Sequence, residues 1–201
     1  MKILTEQIQL LDKFFITAEL NDWSLQSYID NFDKILKNNN RVKEFPWADI
    51  ESYVKNNGKR EISIKESVFC AYPWFSLKIL MPSVKYNFLE SKSSHRANPE
   101  IDHIFPRRLK GQTQSNYPKN MDVIWNMQPI GGDVNNAKRN HHPHDFFTNQ
   151  KGLNGNQYFK DYYFCPKLNS AKWQDPYKFI AYRRGKMIDE LKNLYDIKLC
   201  K

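Results

Sequence analysis

A chain of 201 residues that is 40% hydrophobic and 14% aromatic is long enough to bury a core, and too apolar to be a charged tail or a disordered linker. Its net charge of +9 is unevenly placed: residues 1–70 hold ten Lys or Arg against eleven Asp or Glu, and residues 71–201 hold twenty-one against eleven. That asymmetry excludes a uniformly basic shell and leaves, for the later part of the chain, a polyanionic partner or a well-solvated surface.

In chain order, Leu4, Ile8, Leu11, Phe15 and Ala18 recur at helical spacing and predict a first helix. Ser24 then suits the cap of a second helix, with Leu25, Tyr28, Ile29, Phe32, Ile35 and Leu36 on one stripe. Pro46 opens a third helix that shares Trp47, Ile50, Tyr53 and Val54 on one side. Ile62 to Leu80 is a further apolar stretch, predicted helical and bent or split at Pro73. These stripes are core, and they predict a helical N-terminal lobe over 1–95.

Ser91 to Pro99 is a polar linker, in which His95 is a solvated side chain. Cys70, Cys165 and Cys200 form no CxxC pair, which argues against a thiolate zinc site or a disulfide framework and for reduced thiols. Charges at Lys2 and Glu6 interrupt the first apolar residues, and nowhere do eighteen apolar residues run together. The expectation is a soluble, cytoplasmic protein with no membrane association.

The residues that carry chemistry lie between Glu100 and Asp145. Ile101 to Phe105 is predicted as a strand, so the neighbours Asp102 and His103 address different parts of one site. Asp122 to Pro129 sets Val123, Trp125 and Met127 against Asp122, Ile124 and Asn126 and predicts a strand returning antiparallel, with a turn at Gly131-Gly132. Asp133 is placed to cap a short helix through Asn140. Between the strands lie Arg107, Arg108, Lys110 and Lys119 with no acid, a segment that attracts a phosphate backbone.

A carboxylate and an amide oxygen suit Mg²⁺, which prefers hard oxygen donors and keeps several waters. A histidine, as a residue type, titrates near neutrality and suits a general base. Asp102, His103 and the asparagines of the helix meet those needs. Beyond the site, Phe146 and Phe147 are expected to pack back on it. Asp175-Pro176 begins a closing helix with Phe179, Ile180, Met187, Ile188, Leu191 and Leu194 inward, and Arg183, Arg184 and Lys186 exposed.

DHIFP, joined to an NMQP strand and an NNAK helix, resembles the HNH nucleases, the ββα-metal fingers; the likeness covers about a quarter of the chain. It implies His103 as the base, Asn126 as the brace of the loop that carries it, and Asp102 and Asn135, nine positions after Asn126, as ligands of Mg²⁺, for which Mn²⁺ substitutes. Asn136 competes with Asn135, and His141 is offered as a further ligand because Arg139 stands where many such domains place one. Nucleic-acid contacts fall to Arg107, Arg108, Lys110, Lys119, Lys138 and Arg139.

The implied architecture is α+β and mainly helical: the lobe over 1–95, a ββα-metal module over 96–150, and a loop with a C-terminal helix packing back over 151–201. The opening helices, ESVFCAYPWFSLKIL and FIAYRRGKMIDEL also resemble the C-terminal part of modification-dependent restriction proteins of the GmrSD type. That likeness implies a restriction or phage-defence role and a ParB-like NTPase domain or subunit as partner.

The function implied is DNA phosphodiester hydrolysis leaving 5′ phosphates. One finger cuts one strand, so a double-strand break takes a homodimer or two visits. Two other readings stay open: a nucleic-acid-binding subunit with a degenerate finger, and a nuclease directed at RNA.

Overall fold

The computed structural model describes residues 10, 13–14, 16–18, 26–38, 46–56, 63–81, 99–109 and 118–201. The fold class is α+β and mainly helical, as the sequence predicts. The chain divides into two compact units, one of residues 1–71 and 190–201, the other of residues 72–189. The stretch after 150 up to Asp189 thus belongs with the predicted site, and Glu190 onward belongs with the opening helices.

In the first unit, helices α1 (Gln26–Asn38) and α2 (Trp47–Asn56) form where predicted; Ile35 of the α1 stripe packs inward, but Leu36, expected in the core beside it, is 45% exposed. Trp47, Ile50 and Val54 are buried, with Leu10, Phe14, Ala18, Ile35 and Tyr53 packed on them. Pro46 lies one residue outside α2, where its carbonyl accepts from Ile50 N at 3.2 Å. The Lys13 ammonium sits 4.9 Å from the Trp47 ring centroid, a contact that keeps the stem apolar and the charge attracted. The predicted cap at Ser24 lies outside the described residues.

The apolar stretch expected to be helical and bent or split at Pro73 is three elements, with a helix break at that proline and a strand before it. Ser63–Lys65 is a strand, β1, followed by α3 (Glu66–Ala71); Pro73 then opens α4 (Pro73–Leu80) in its first turn, the position where proline loses no hydrogen bond. The reason for the strand is distant: Ser63, Ile64 and Lys65 pair in parallel with Lys198, Leu199 and Cys200 of the terminal strand β4. An apolar run of this length is ambiguous without its partner.

In the second unit, β2 (Pro99–His103) and β3 (Met127–Gly131) are antiparallel, with Asp102 opposite Gln128 and His103 opposite Met127. Helix α5 (Gly132–Lys138) follows directly, then α6 (Pro143–Phe147) and, after several 3-10 turns, α7 (Pro176–Tyr195), which continues into the first unit. Asp175 caps α7, its Oδ1 accepting from Tyr177 N at 3.0 Å and Lys178 N at 3.2 Å.

Details of the predicted strands and helix shift. Ile124–Asn126 is a 3-10 turn and β3 starts only at Met127, the residue paired with His103 at the end of β2. Gly131 ends β3 and Gly132 begins α5, so the two glycines do not form a separate turn. Asp133 makes no capping bond but lies in the first turn, where a carboxylate favours the helix dipole. The helix stops at Lys138, two residues short of Asn140, as Arg139 takes a φ of 48°.

Ile104, Phe105, Leu109, Met121, Ile130, Val134, Phe146, Phe147, Tyr162, Trp173 and Phe179 form one buried cluster. Phe105 and Phe179 meet edge to face at 5.0 Å between centroids, and Trp173 and Phe179 lie tilted at 4.9 Å. This aromatic packing holds the strands and α5 together. Phe146 and Phe147 are wholly buried in it, as expected. Among the described residues no helix is long and apolar enough to cross a membrane.

Candidate functional site

The end of β2, the loop after it and α5 enclose an open cleft of about 520 Å³, lined by Ile101, Asp102, His103, Pro106, Arg107, Arg108, Asn135, Arg139 and Asn140. Asp102, His103 and Asn135 thus line the same cleft. Asn136 and His141 do not line it: Asn136 is exposed one step around α5, and His141 lies beyond the helix end. Nor do the neighbouring histidines gather there, since the His142 ring packs edge-on to Phe105 at 5.4 Å and His144 Nε2 lies 3.1 Å from Leu168 O.

Asn126 is buried and makes three hydrogen bonds. Its Oδ1 accepts from Phe105 N at 2.9 Å, and its Nδ2 donates to Phe105 O at 2.8 Å and Met121 O at 3.0 Å. One amide thus ties both ends of the loop between Phe105 and Met121, which is the bracing position expected of it. Its backbone carbonyl adds a bond from Ile104 N at 2.8 Å.

Asp102 is only 4% exposed. Its Oδ1 lies 3.1 Å from Lys138 Nζ and its Oδ2 accepts from Tyr162 OH at 3.0 Å. Burial pushes the carboxyl above its ordinary pKa, while Lys138 and Tyr162 pull against that shift. Each oxygen uses one lone pair on these partners and keeps another.

Lys138 is not a surface cation. It is fully buried, and besides Asp102 its ammonium donates to His103 O at 2.9 Å and Ile104 O at 3.3 Å, so all three of its N–H groups are engaged. Burial lowers its pKa and the Asp102 charge opposes that. Its role is to hold the β2 terminus, which corrects its assignment to nucleic acid.

Asn135 donates through Nδ2 to Glu100 Oε2 at 2.7 Å, and its Oδ1 has no hydrogen bond among the described residues. Glu100 lies on the same strand face as Asp102, two positions earlier, an i, i+2 signal readable in the sequence. Above Glu100, a side chain on Gly132 would bring Cβ to 3.2 Å from Glu100 Oε1, so the glycine leaves room for this carboxylate.

His103 Nε2 lies 2.7 Å from Asp122 Oδ1, and Arg107 Nε donates to the same oxygen at 2.6 Å. Burial tends to raise the Asp122 carboxyl, but the hydrogen bonds and charges of Arg107 and His103 together hold it below the ordinary carboxylate value. The sequence pattern placed Asp122 in a strand and gave it no role.

Arg107, Arg108 and Arg139 are exposed on the cleft wall; Lys119 is exposed outside it, and Lys110 lies outside the described residues. Arg183, expected on the surface of α7, is instead fully buried. It donates to Tyr163 O at 3.0 Å, Trp125 O at 2.9 Å, Met127 O at 2.7 Å and Gln128 Oε1 at 2.8 Å. Burial pushes its pKa down to about 10, still a cation at neutral pH. Gripping the carbonyls on both sides of Asn126, it fixes the brace from behind.

Among the described residues no group of three or more His, Cys, Asp or Glu stands placed for a metal ion; the carboxylate and amide side chains lining the cleft are those of Asp102, Asn135 and Asn140. That set suits a hard, partly hydrated cation better than a transition metal. No family model, curated protein or solved structure matches the chain.

Proposed function

We propose that the chain is an HNH-type, metal-dependent endonuclease that hydrolyses DNA phosphodiester bonds, in a restriction or phage-defence setting. The observation that carries this reading is the convergence of Asp102, His103 and Asn135 on one cleft walled by three arginines. An acid, an imidazole and an amide beside a cationic wall are what phosphodiester hydrolysis needs.

The donor set fits Mg²⁺ or Mn²⁺. Asp102 would hold the ion through its remaining lone pairs, and Asn135 through the Oδ1 that Glu100 leaves unengaged by fixing Nδ2. When bound, the ion supplies positive charge at the crowded phosphorus and the leaving oxygen.

His103 takes a proton from water as the water oxygen bonds to phosphorus and the bond to the 3′ oxygen breaks. The 3′ oxygen gains a proton from solvent and the 5′ side keeps the phosphate. Asn126 keeps the loop beside His103 in place, and Arg107, Arg108 and Arg139 attract the flanking phosphates.

The test is nicking of supercoiled plasmid with Mg²⁺, Mn²⁺ or chelator, with a structured RNA in parallel. Metal-dependent conversion to open circles supports the reading, and RNA cleavage without plasmid nicking would redirect it to RNA. One observation favours a binding subunit with an idle finger: Lys138 Nζ at 3.1 Å already neutralises Asp102. That reading expects salt-dependent DNA binding and no nicking with any divalent ion.

A further inference from the structure

We propose that Asp122 is the positioning residue that orients His103 for proton abstraction, and that Arg107, bound to the same carboxylate oxygen, links it to a phosphate of the substrate. The inference rests on the nuclease reading and adds two roles to it.

Three facts carry it. First, Asp122 Oδ1 lies 2.7 Å from His103 Nε2. An ionised carboxylate only accepts, so Nε2 carries the hydrogen and the neutral ring keeps its lone pair on Nδ1. Nδ1 has no hydrogen bond among the described residues, and the His103 side chain is 18% exposed on the cleft. The nitrogen left over is therefore the one available to a water.

Second, Arg107 spends Nε on Asp122 Oδ1 at 2.6 Å, and its side chain remains 67% exposed on the cleft wall. Its two terminal nitrogens have no bond among the described residues, a fork that matches two phosphate oxygens. A phosphate held there fixes the guanidinium, and the guanidinium fixes the carboxylate against the ring.

Third, the parts are held in register by one clamp. Asn126 bonds the Met121 carbonyl, next to Asp122, and both backbone groups of Phe105, two residues after His103. The distance from Asp122 to His103 is thus set by buried hydrogen bonds, although Asp122 itself is 57% exposed.

The experiment has two readouts. In plasmid nicking with Mg²⁺, Asp122→Ala lowers kcat about 10- to 100-fold with KM nearly unchanged, the loss typical of removing an orienting partner. Asp122→Asn, which keeps an accepting Oδ1, retains more activity than the alanine variant. Arg107→Ala raises KM, and its effect in the double variant with Asp122→Ala is smaller than in the wild type, because the two share one interaction.

Nitrogen-15 spectra of the neutral His103 ring, which need no substrate, show hydrogen on Nε2 in the wild type and a mixture of tautomers in Asp122→Ala. Wild-type kcat in Asp122→Ala, strictly multiplicative losses in the double variant, or an unchanged ring pattern would each overturn the proposal. A wild type that nicks nothing would remove the nuclease reading, while the ring pattern would still decide what Asp122 does to His103.

Discussion

Lys138 Nζ lies 3.1 Å from Asp102 Oδ1 with both side chains out of solvent. Breaking such a pair leaves one charge buried and uncompensated, at a cost of about 3–5 kcal/mol. Lys138→Met should therefore lose roughly that much in urea unfolding. Adding Asp102→Asn should recover part of it, because the amide carries no charge to strand. If Lys138→Met unfolds at the wild-type midpoint, the pair is not what holds the β2 terminus.

Arg108 and Arg139 stand exposed on the cleft wall. Each phosphate contact released by substitution should reduce the slope of log affinity against log salt by about 0.9 on duplex DNA. Arg108→Ala and Arg139→Ala should each show this in fluorescence titrations over a salt series. Unchanged slopes would take the phosphate backbone off this wall.

Asn126 joins Phe105 and Met121 through three buried hydrogen bonds. Asn126→Ala leaves one N–H and two carbonyls without it, for a loss of about 2–4 kcal/mol on the scale of unsatisfied buried groups. Asn126→Asp should be worse at neutral pH, since it turns an anion toward two carbonyl oxygens. Chemical unfolding of both variants checks the order, and equal stabilities would show that the donors do not matter.

Asp122 gives a pH dependence of definite sign. Its pKa in the folded chain is held below the ordinary value of about 3.9, so its charge stabilises the fold above that value. This contribution is lost as pH falls through the lowered pKa. Asp122→Asn should melt below the wild type at pH 7, and the gap should close in strong acid. Because the group is largely exposed, the effect should stay below about 1 kcal/mol. A gap of the same size at both pH values would mean that charge is not its source.

What could be read from the sequence divides along physical lines. Asp102, His103, Asn126 and Asn135 were legible because their chemistry and spacing sit in short, contiguous elements. The end of the helix and the start of β3 were not, because the first depends on the φ of 48° at Arg139 and the second on pairing with β2, whose last residue, His103, stands opposite Met127. Lys138 and Arg183 were placed on the surface by the general habit of charged residues, and their burial is explained by distant partners, the Asp102 carboxylate and carbonyls for the first and carbonyls with Gln128 for the second.

Asp122 lay hidden for a different reason. Its partnership with His103 spans nineteen positions and is closed by the Asn126 clamp, a long-range arrangement that no local period reports. Strand β1 escaped similarly, since its partner lies at the other end of the chain.

The most direct measurement compares His103→Ala with the wild type in both DNA affinity and plasmid nicking with Mg²⁺. In the proposed reaction the imidazole takes a proton while the arginines attract the phosphates, so affinity should stay close to wild type while nicking falls about 100- to 10,000-fold, the range for loss of a general base. A variant that nicks at the wild-type rate would contradict the account.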